Sequence, residues 1–165
     1  MKILDKPKEV RKIFKASNHK FAASAFHKIC DGKSDTLVLA KTEFNKIVGG
    51  FTHYPWKSGD NENVCDKGKK SFIFSLTMME KYNPVCEDNL LCLRKDWGPM
   101  FGYKGDLWIA DQCNTGKRTL IEFPVNYNRD GVKIERGKEA HLNFTGSENN
   151  YVHILEYEVF QVVFK

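Results

Sequence analysis

The chain has 165 residues, 41% of them hydrophobic and 28% charged, the size and composition of one globular domain with its own core. No apolar run nears the roughly 20 residues that cross a bilayer, and the opening "MKILDKPKEVRK" lacks the apolar stretch of a secretory leader, so a soluble, cytoplasmic chain without membrane insertion is expected. The net charge of +5 is lopsided: residues 1–50 carry 11 Lys and Arg against 5 Asp and Glu, the other 115 carry 15 against 16.

In chain order, Pro7 opens a stretch in which Val10, Ile13 and Phe14 recur at helical spacing, which predicts a basic N-terminal helix over about 7–15. Its plain use is a solvated face. Its functional use is a docking face for an acidic partner through Lys8, Arg11, Lys12 and Lys15. A nucleic-acid partner is not expected, because no exposed aromatics or reading motif accompany the charge. A second helix is predicted over about 20–30, with Phe21, Ala25, Phe26 and Ile29 on one stripe and Asp31-Gly32 as its stop.

From there the period falls to two. "TLVLAKT" (36–42) and "KIVGGFTHY" (46–54) predict a hairpin, with Gly49-Gly50 marking a bulge or a close backbone approach. "WKSGDNENVCDKGKK" (56–70) is expected to be a loop. Strands are predicted at 71–77, 90–94, 105–111, 119–125, 141–146 and 151–164, the last with a bulge or bend near Glu156, and a turn-rich interval is expected up to about 88. Helices first and then seven or eight short strands exclude a doubly wound parallel sheet. The expected fold is α+β: a single domain over 1–165, a two-sheet antiparallel β-sandwich flanked by N-terminal and short connecting helices.

The densest chemistry lies in "SAFHKICDG", which places Ser24, His27, Cys30 and Asp31 within nine residues. His27 and Cys30 share a helical face and could hold two corners of a zinc site, but no further cysteine has finger spacing. As a nucleophile Cys30 sits at the wrong end of its helix, where the dipole disfavours a thiolate. Both are expected to be structural, with no catalytic set, no metal and no cofactor. Five cysteines without a C-x-x-C pair point to reduced thiols. The glycosylation sequon at Asn143 is expected to be ordinary strand sequence. "GPMFGYKGD" (98–106) is neither a phosphate loop nor a dinucleotide fingerprint. It is expected to be turn chemistry around a buried Phe101.

Several of these pieces, taken in series, resemble the TLDc family of TBC-, LysM- and oxidation-resistance-associated proteins. They are "FAASAFHKICDGKSDTLVLAKT" with Phe26, His27 and Cys30; "IVGGFT" with Gly49 and Gly50, then Trp56; "SFIFSL"; "GPMFG" with Gly98, Pro99, Phe101 and Gly102; "DLWIAD" with Asp106 and Asp111; and "EVFQV" with Glu158 and Phe160. They run over about 16–163. The resemblance implies a two-sheet sandwich flanked by helices, a link to oxidative-stress protection, and binding to the vacuolar proton-pumping ATPase (V-ATPase). It implies no agreed reaction, so these residues stand as signature rather than site. Two functions follow as expectations: a non-enzymatic, monomeric protein-interaction module, or a thiol-based redox protein meeting peroxide through Cys30 or Cys65.

Overall fold

The computed structural model describes residues 3–68, 70–116, 119–130 and 134–164. Strand β1 (Pro7–Lys15) is followed by a 3-10 turn (Ala16–His19) and helix α1 (Ala23–Cys30). Then come β2 (Thr36–Thr42), β3 (Ile47–Thr52), β4 (Asp60–Val64), β5 (Phe72–Ser75), β6 (Glu80–Pro84), β7 (Leu91–Arg94), β8 (Trp97–Phe101) and β9 (Leu107–Ala110). The chain closes with β10 (Thr119–Leu120), β11 (Tyr127–Asn128), helix α2 (Lys138–Thr145), β12 (Tyr151–Val152) and β13 (Ile154–Phe164). Two sheets form, a seven-stranded one in the order β1-β13-β2-β3-β5-β6-β11 and a six-stranded one in the order β12-β10-β9-β8-β7-β4. All strand pairings are antiparallel. This is the two-sheet sandwich that the strand pattern predicts.

Both sheets feed one core: Val38, Val48 and Ile73 from the first meet Leu91, Leu93, Phe101, Leu107 and Ile109 from the second. Gly50 marks a close approach of the two sheets, since a Cβ there would lie 2.6 Å from the Phe101 ring. A Cβ on Gly49 would run into the Val38 carbonyl and the Phe74 ring. The glycine pair is therefore a contact point, and the β2–β3 register runs through it without a bulge. A second apolar cluster, Leu37, Phe51, Phe72, Phe74 and Val162, covers the other face of the seven-stranded sheet, with Phe160 and Leu39 half-buried against it.

Six sequence expectations need correction. Residues 7–15 are a strand, not a helix: β1 lines the free edge of β13 from Pro7↔Phe164 to Lys15↔Glu158. An isolated nine-residue helix is marginal in water, and pairing along a whole strand outweighs its propensity. The interval 56–70 contains the edge strand β4, paired with β7. The turn-rich interval contains β6, and "GPMF" is strand β8 rather than a turn. The run 119–125 leaves the sheet after Leu120, because the next backbone donors go elsewhere: Glu122 N–H to Gly105 O, and those of Val125 and Asn126 to Asp106.

The sixth correction is 138–145, which is helix α2 where 141–146 reads as a strand. Ala140, His141, Phe144 and Thr145 fall on one buried stripe, Phe144 stacks on Phe123 at 4.6 Å, and Gly146 (φ 84°) supplies the left-handed stop. Asn143 of the sequon is thus exposed on a helix. Two irregularities are as expected: the register of β13 shifts between Ile154 and Glu156, and α1 stops at Asp31 with Gly32 at φ 76°. No helix among the described residues is long and apolar enough to cross a membrane.

Candidate interaction surface

On α1, Ser24 in the first turn faces solvent while His27 and Cys30 are buried. His27 Nε2 lies 2.8 and 2.9 Å from the carbonyl oxygens of Arg94 and Trp97. A carbonyl only accepts, so Nε2 carries a hydrogen and donates. Nδ1 lies 2.7 Å from Asp31 Oδ1, and the other oxygen of Asp31 accepts from Ser58 Oγ at 2.6 Å. Both ring nitrogens are thereby committed to oxygens, and the imidazole ties α1 to the β7–β8 turn. Burial pushes the Cys30 thiol up to about 12, which suppresses the thiolate that peroxide chemistry needs. As a redox candidate Cys30 is therefore placed poorly.

The other signature residues make comparable ties. Asp111 Oδ1 accepts the Ala23 N–H at 2.8 Å, closing an α1 N-terminus whose own capping position, Ala22, offers no side-chain acceptor. Asp106, fully buried, accepts from the backbone N–H groups of Val125 and Asn126 at 2.6 and 2.8 Å. Burial pushes its carboxyl up to about 6 against the opposing pull of those N–H groups. Gly102 (φ 79°) backs onto the same carboxylate, which any Cβ would strike. Phe26, Trp56 and Phe101 form an edge-to-face chain at 5.5 and 5.7 Å, and Trp56 Nε1 donates to Thr36 Oγ1. Gly98 packs against Ile109 O and the Tyr157 hydroxyl, Pro99 is buried, and Glu158 meets Lys12 on the edge.

The sequence-predicted docking residues lie on β1. Lys8, Arg11 and Lys12 are exposed and Lys15 half-exposed, but three of them have local carboxylate partners: Arg11 holds Glu9 at 2.8 Å, Lys12 holds Glu158 at 3.0 Å and Lys15 holds Glu156 at 3.7 Å. Lysines on an edge strand also discourage strand addition.

A different surface combines charge with aromatic area. On the outer side of the six-stranded sheet, a cleft of about 470 Å³ is lined by Asn61, Arg94, Tyr103, Lys104, Trp108, Leu120, Glu122 and Arg136. Strand alternation produces it: Leu107 and Ile109 enter the core, while Trp108 between them faces out, opposite Leu120. The Trp108 indole N–H donates to Gly102 O and its ring packs edge-to-face with Trp97 at 5.8 Å, so the half-buried ring is fixed in the cleft wall. A second cleft of about 450 Å³ continues from Arg94 and Asn61 to Asp60, Lys95 and Asp96. Arg94 pairs with Asp96, Lys95 with Asp60 and Arg136 with Glu122, whereas Lys104 has no ion pair among the described residues. Three cations against one carboxylate line the first cleft.

The family model for the TLDc domain matches residues 2–163. The chain belongs to the TLDc domain family. No curated protein matches the sequence as a relative. Among the described residues of this TLDc domain, no group of three or more His, Cys, Asp or Glu is placed to hold a metal ion. The signature motifs were legible because they are consecutive in sequence. The cleft was not: its residues come from β4, β7, β9, β10 and three connections, and the one available signal was the outward Trp108 within an otherwise core-bound "DLWIAD".

Proposed function

We propose that this TLDc domain is a non-enzymatic protein-interaction module whose contact face is the Trp108 cleft, and that it takes an acidic segment of a protein partner. The observation that carries this is the composition of the cleft. Trp, Tyr and Arg are the residue types that dominate binding energy at protein interfaces, and here they surround a cationic rim. The reactive residue types of the family motifs favour the same reading, because His27, Asp106 and Asp111 hold backbone groups and Asp31 holds His27 and Ser58. A peroxide-reactive Cys30 is disfavoured by its burial. Cys65, the other redox candidate, is exposed, but desolvation, followed by the neighbouring Asp88 and Glu87, pushes its thiol up.

The TLDc family points to oxidation resistance as the process and to the V-ATPase as the partner. The test is binding of the purified domain to the purified cytosolic sector of that pump at low salt, where charge steering is least screened. Binding that falls at least about tenfold in Trp108→Ala or Lys104→Glu supports both surface and partner, a size expected of an interface anchor. No binding by the wild-type domain removes the pump as partner. Undiminished binding by both variants moves the contact face elsewhere.

A further inference from the structure

Leu37-Val38-Leu39-Ala40 and Phe72-Ile73-Phe74 are apolar without a break, whereas a sheet with one wet face alternates apolar with polar residues. Val38, Ala40 and Ile73 enter the core between the sheets. Leu37, Phe72 and Phe74 therefore stand on the outer side of the seven-stranded sheet, together with Phe51 and Val162. There Phe51 stacks on Phe72 at 5.3 Å and meets Phe164 edge-on at 6.0 Å. Pairing with Val162 puts Val10 of β1 on the same face. One occupant is already seated on it: Ile3 and Leu4 pack against the cluster, before the chain turns at Lys6 (φ 45°) into β1. Two aliphatic side chains cover only part of the face, since Val10 and Phe164 stay exposed and Leu39, Leu76 and Phe160 half-buried. Its charge is one-sided as well. Glu156 and Glu158 are taken by Lys15 and Lys12, whereas Lys41 and Lys81 make no ion pair among the described residues. Lys81 Nζ instead sits 3.9 Å from the centre of the Phe72 ring.

We propose that the outer face of the seven-stranded sheet docks a segment of a protein partner that displaces Ile3 and Leu4. The resident segment states the chemistry such a ligand needs: two consecutive aliphatic residues followed by a carboxylate, as in Ile3-Leu4-Asp5. The aliphatic pair takes over the contacts with the Phe51, Phe72 and Phe74 cluster, where apolar area removed from water drives binding. The carboxylate complements the Lys41 and Lys81 margin. Ile3 and Leu4 act meanwhile as a tethered competitor, which keeps the isolated chain from presenting the whole apolar face to water. The Trp108 cleft lies on the other sheet, so this face stands or falls independently of it.

The test titrates the full chain with a synthetic peptide of residues 1–8 and follows its backbone amide signals by NMR. Tethering holds the resident segment at roughly millimolar effective concentration, so the peptide should bind the Ile3→Ser, Leu4→Ser double variant at least about fivefold more tightly than wild type. The shifts should fall on Leu37, Phe51, Phe72 and Phe160. In the wild-type chain, which needs no altered residue to fold, excess peptide should move the Ile3 and Leu4 signals to unfolded positions. A peptide carrying both Ile3→Ser and Leu4→Ser should not bind, and one carrying Asp5→Lys should bind several-fold more weakly. No binding, shifts that fall elsewhere, equal affinity for wild type and double variant, or equal binding of the serine peptide overturns the proposal. So does a double variant that binds phosphatidylcholine vesicles and not the peptide, which would assign the face to a lipid surface.

Discussion

The end of α1 and the outer face of the six-stranded sheet hold similar chemistry and use it in opposite ways. At the end of α1 both imidazole nitrogens of His27 are taken by oxygens of Asp31, Arg94 and Trp97, the Asp106 carboxylate by backbone N–H groups, and one oxygen of Asp111 by the Ala23 N–H. A buried polar group is costly without such partners and holds the fold together with them. On the outer face, Arg94 pairs with Asp96 and Lys95 with Asp60 in solvent, where such pairs contribute little to stability, and Trp108 lines the cleft beside Lys104. Reactive residue types in a motif therefore mark architecture in one place and contact potential in the other. What separates the two is whether hydrogen-bonding capacity is used up inside the molecule.

The sharpest way to break this comparison is to remove an aromatic from the inter-sheet chain. Phe101→Ala or Phe26→Ala should cost about 3–5 kcal/mol, as large-to-small changes at fully buried positions do, read from urea unfolding. A loss below about 1 kcal/mol would show that the sandwich is not held at this seam.

Asp106 comes next. Its carboxyl, raised from 3.8 to about 6 in the folded state, binds its proton more tightly folded than unfolded. Its contribution to stability is thus fully present below about pH 4 and is lost as pH rises to about 6, by about 3 kcal/mol in all. Measured as the difference in unfolding free energy between wild type and Asp106→Asn, the decline should appear between pH 4 and 7. A difference that rises with pH instead would mean that the backbone N–H groups outweigh desolvation.

A smaller effect is expected at the start of α1. Asp111→Ala removes the acceptor that serves the Ala23 N–H and should cost about 1 kcal/mol, visible as a lower denaturant midpoint with unchanged slope. At the surface the expectation is close to nothing for stability. Arg11→Glu with Lys12→Glu should shift unfolding by no more than about 1 kcal/mol, since the Lys12–Glu158 pair is solvent-exposed. Trp108→Ala should likewise keep the fold while losing partner affinity. A double variant at Arg11 and Lys12 that abolished binding would transfer the contact face to β1.

The sheets were legible wherever one strand carried its own pattern. "TLVLAKT", "SFIFSL" and the closing run through "EVFQV" gave strands, and the broken alternation near Glu156 gave the bulge. The errors share a cause. Residues 7–15 have an apolar spacing compatible with a helix, but they lie beside an open sheet edge, and the ladder to β13 decides their state. "HLNF" alternates like a strand, yet its helix is fixed by Phe144 stacking on Phe123 and by Gly146 after it. β4, made of polar residues, has almost no apolar signal, because an edge strand with both faces near solvent needs none.

By itself the sequence determined the two-sheet sandwich, the TLDc family and the structural role of the α1 stripe, because each is written in short-range periodicity or in contiguous motifs that local physics can read. Only the tertiary structure decided that Asp111 serves a helix 88 residues away and that Trp108 and the cations form one cleft. Each of these depends on which strands become neighbours, and that choice is made by long-range pairing and packing over the whole chain.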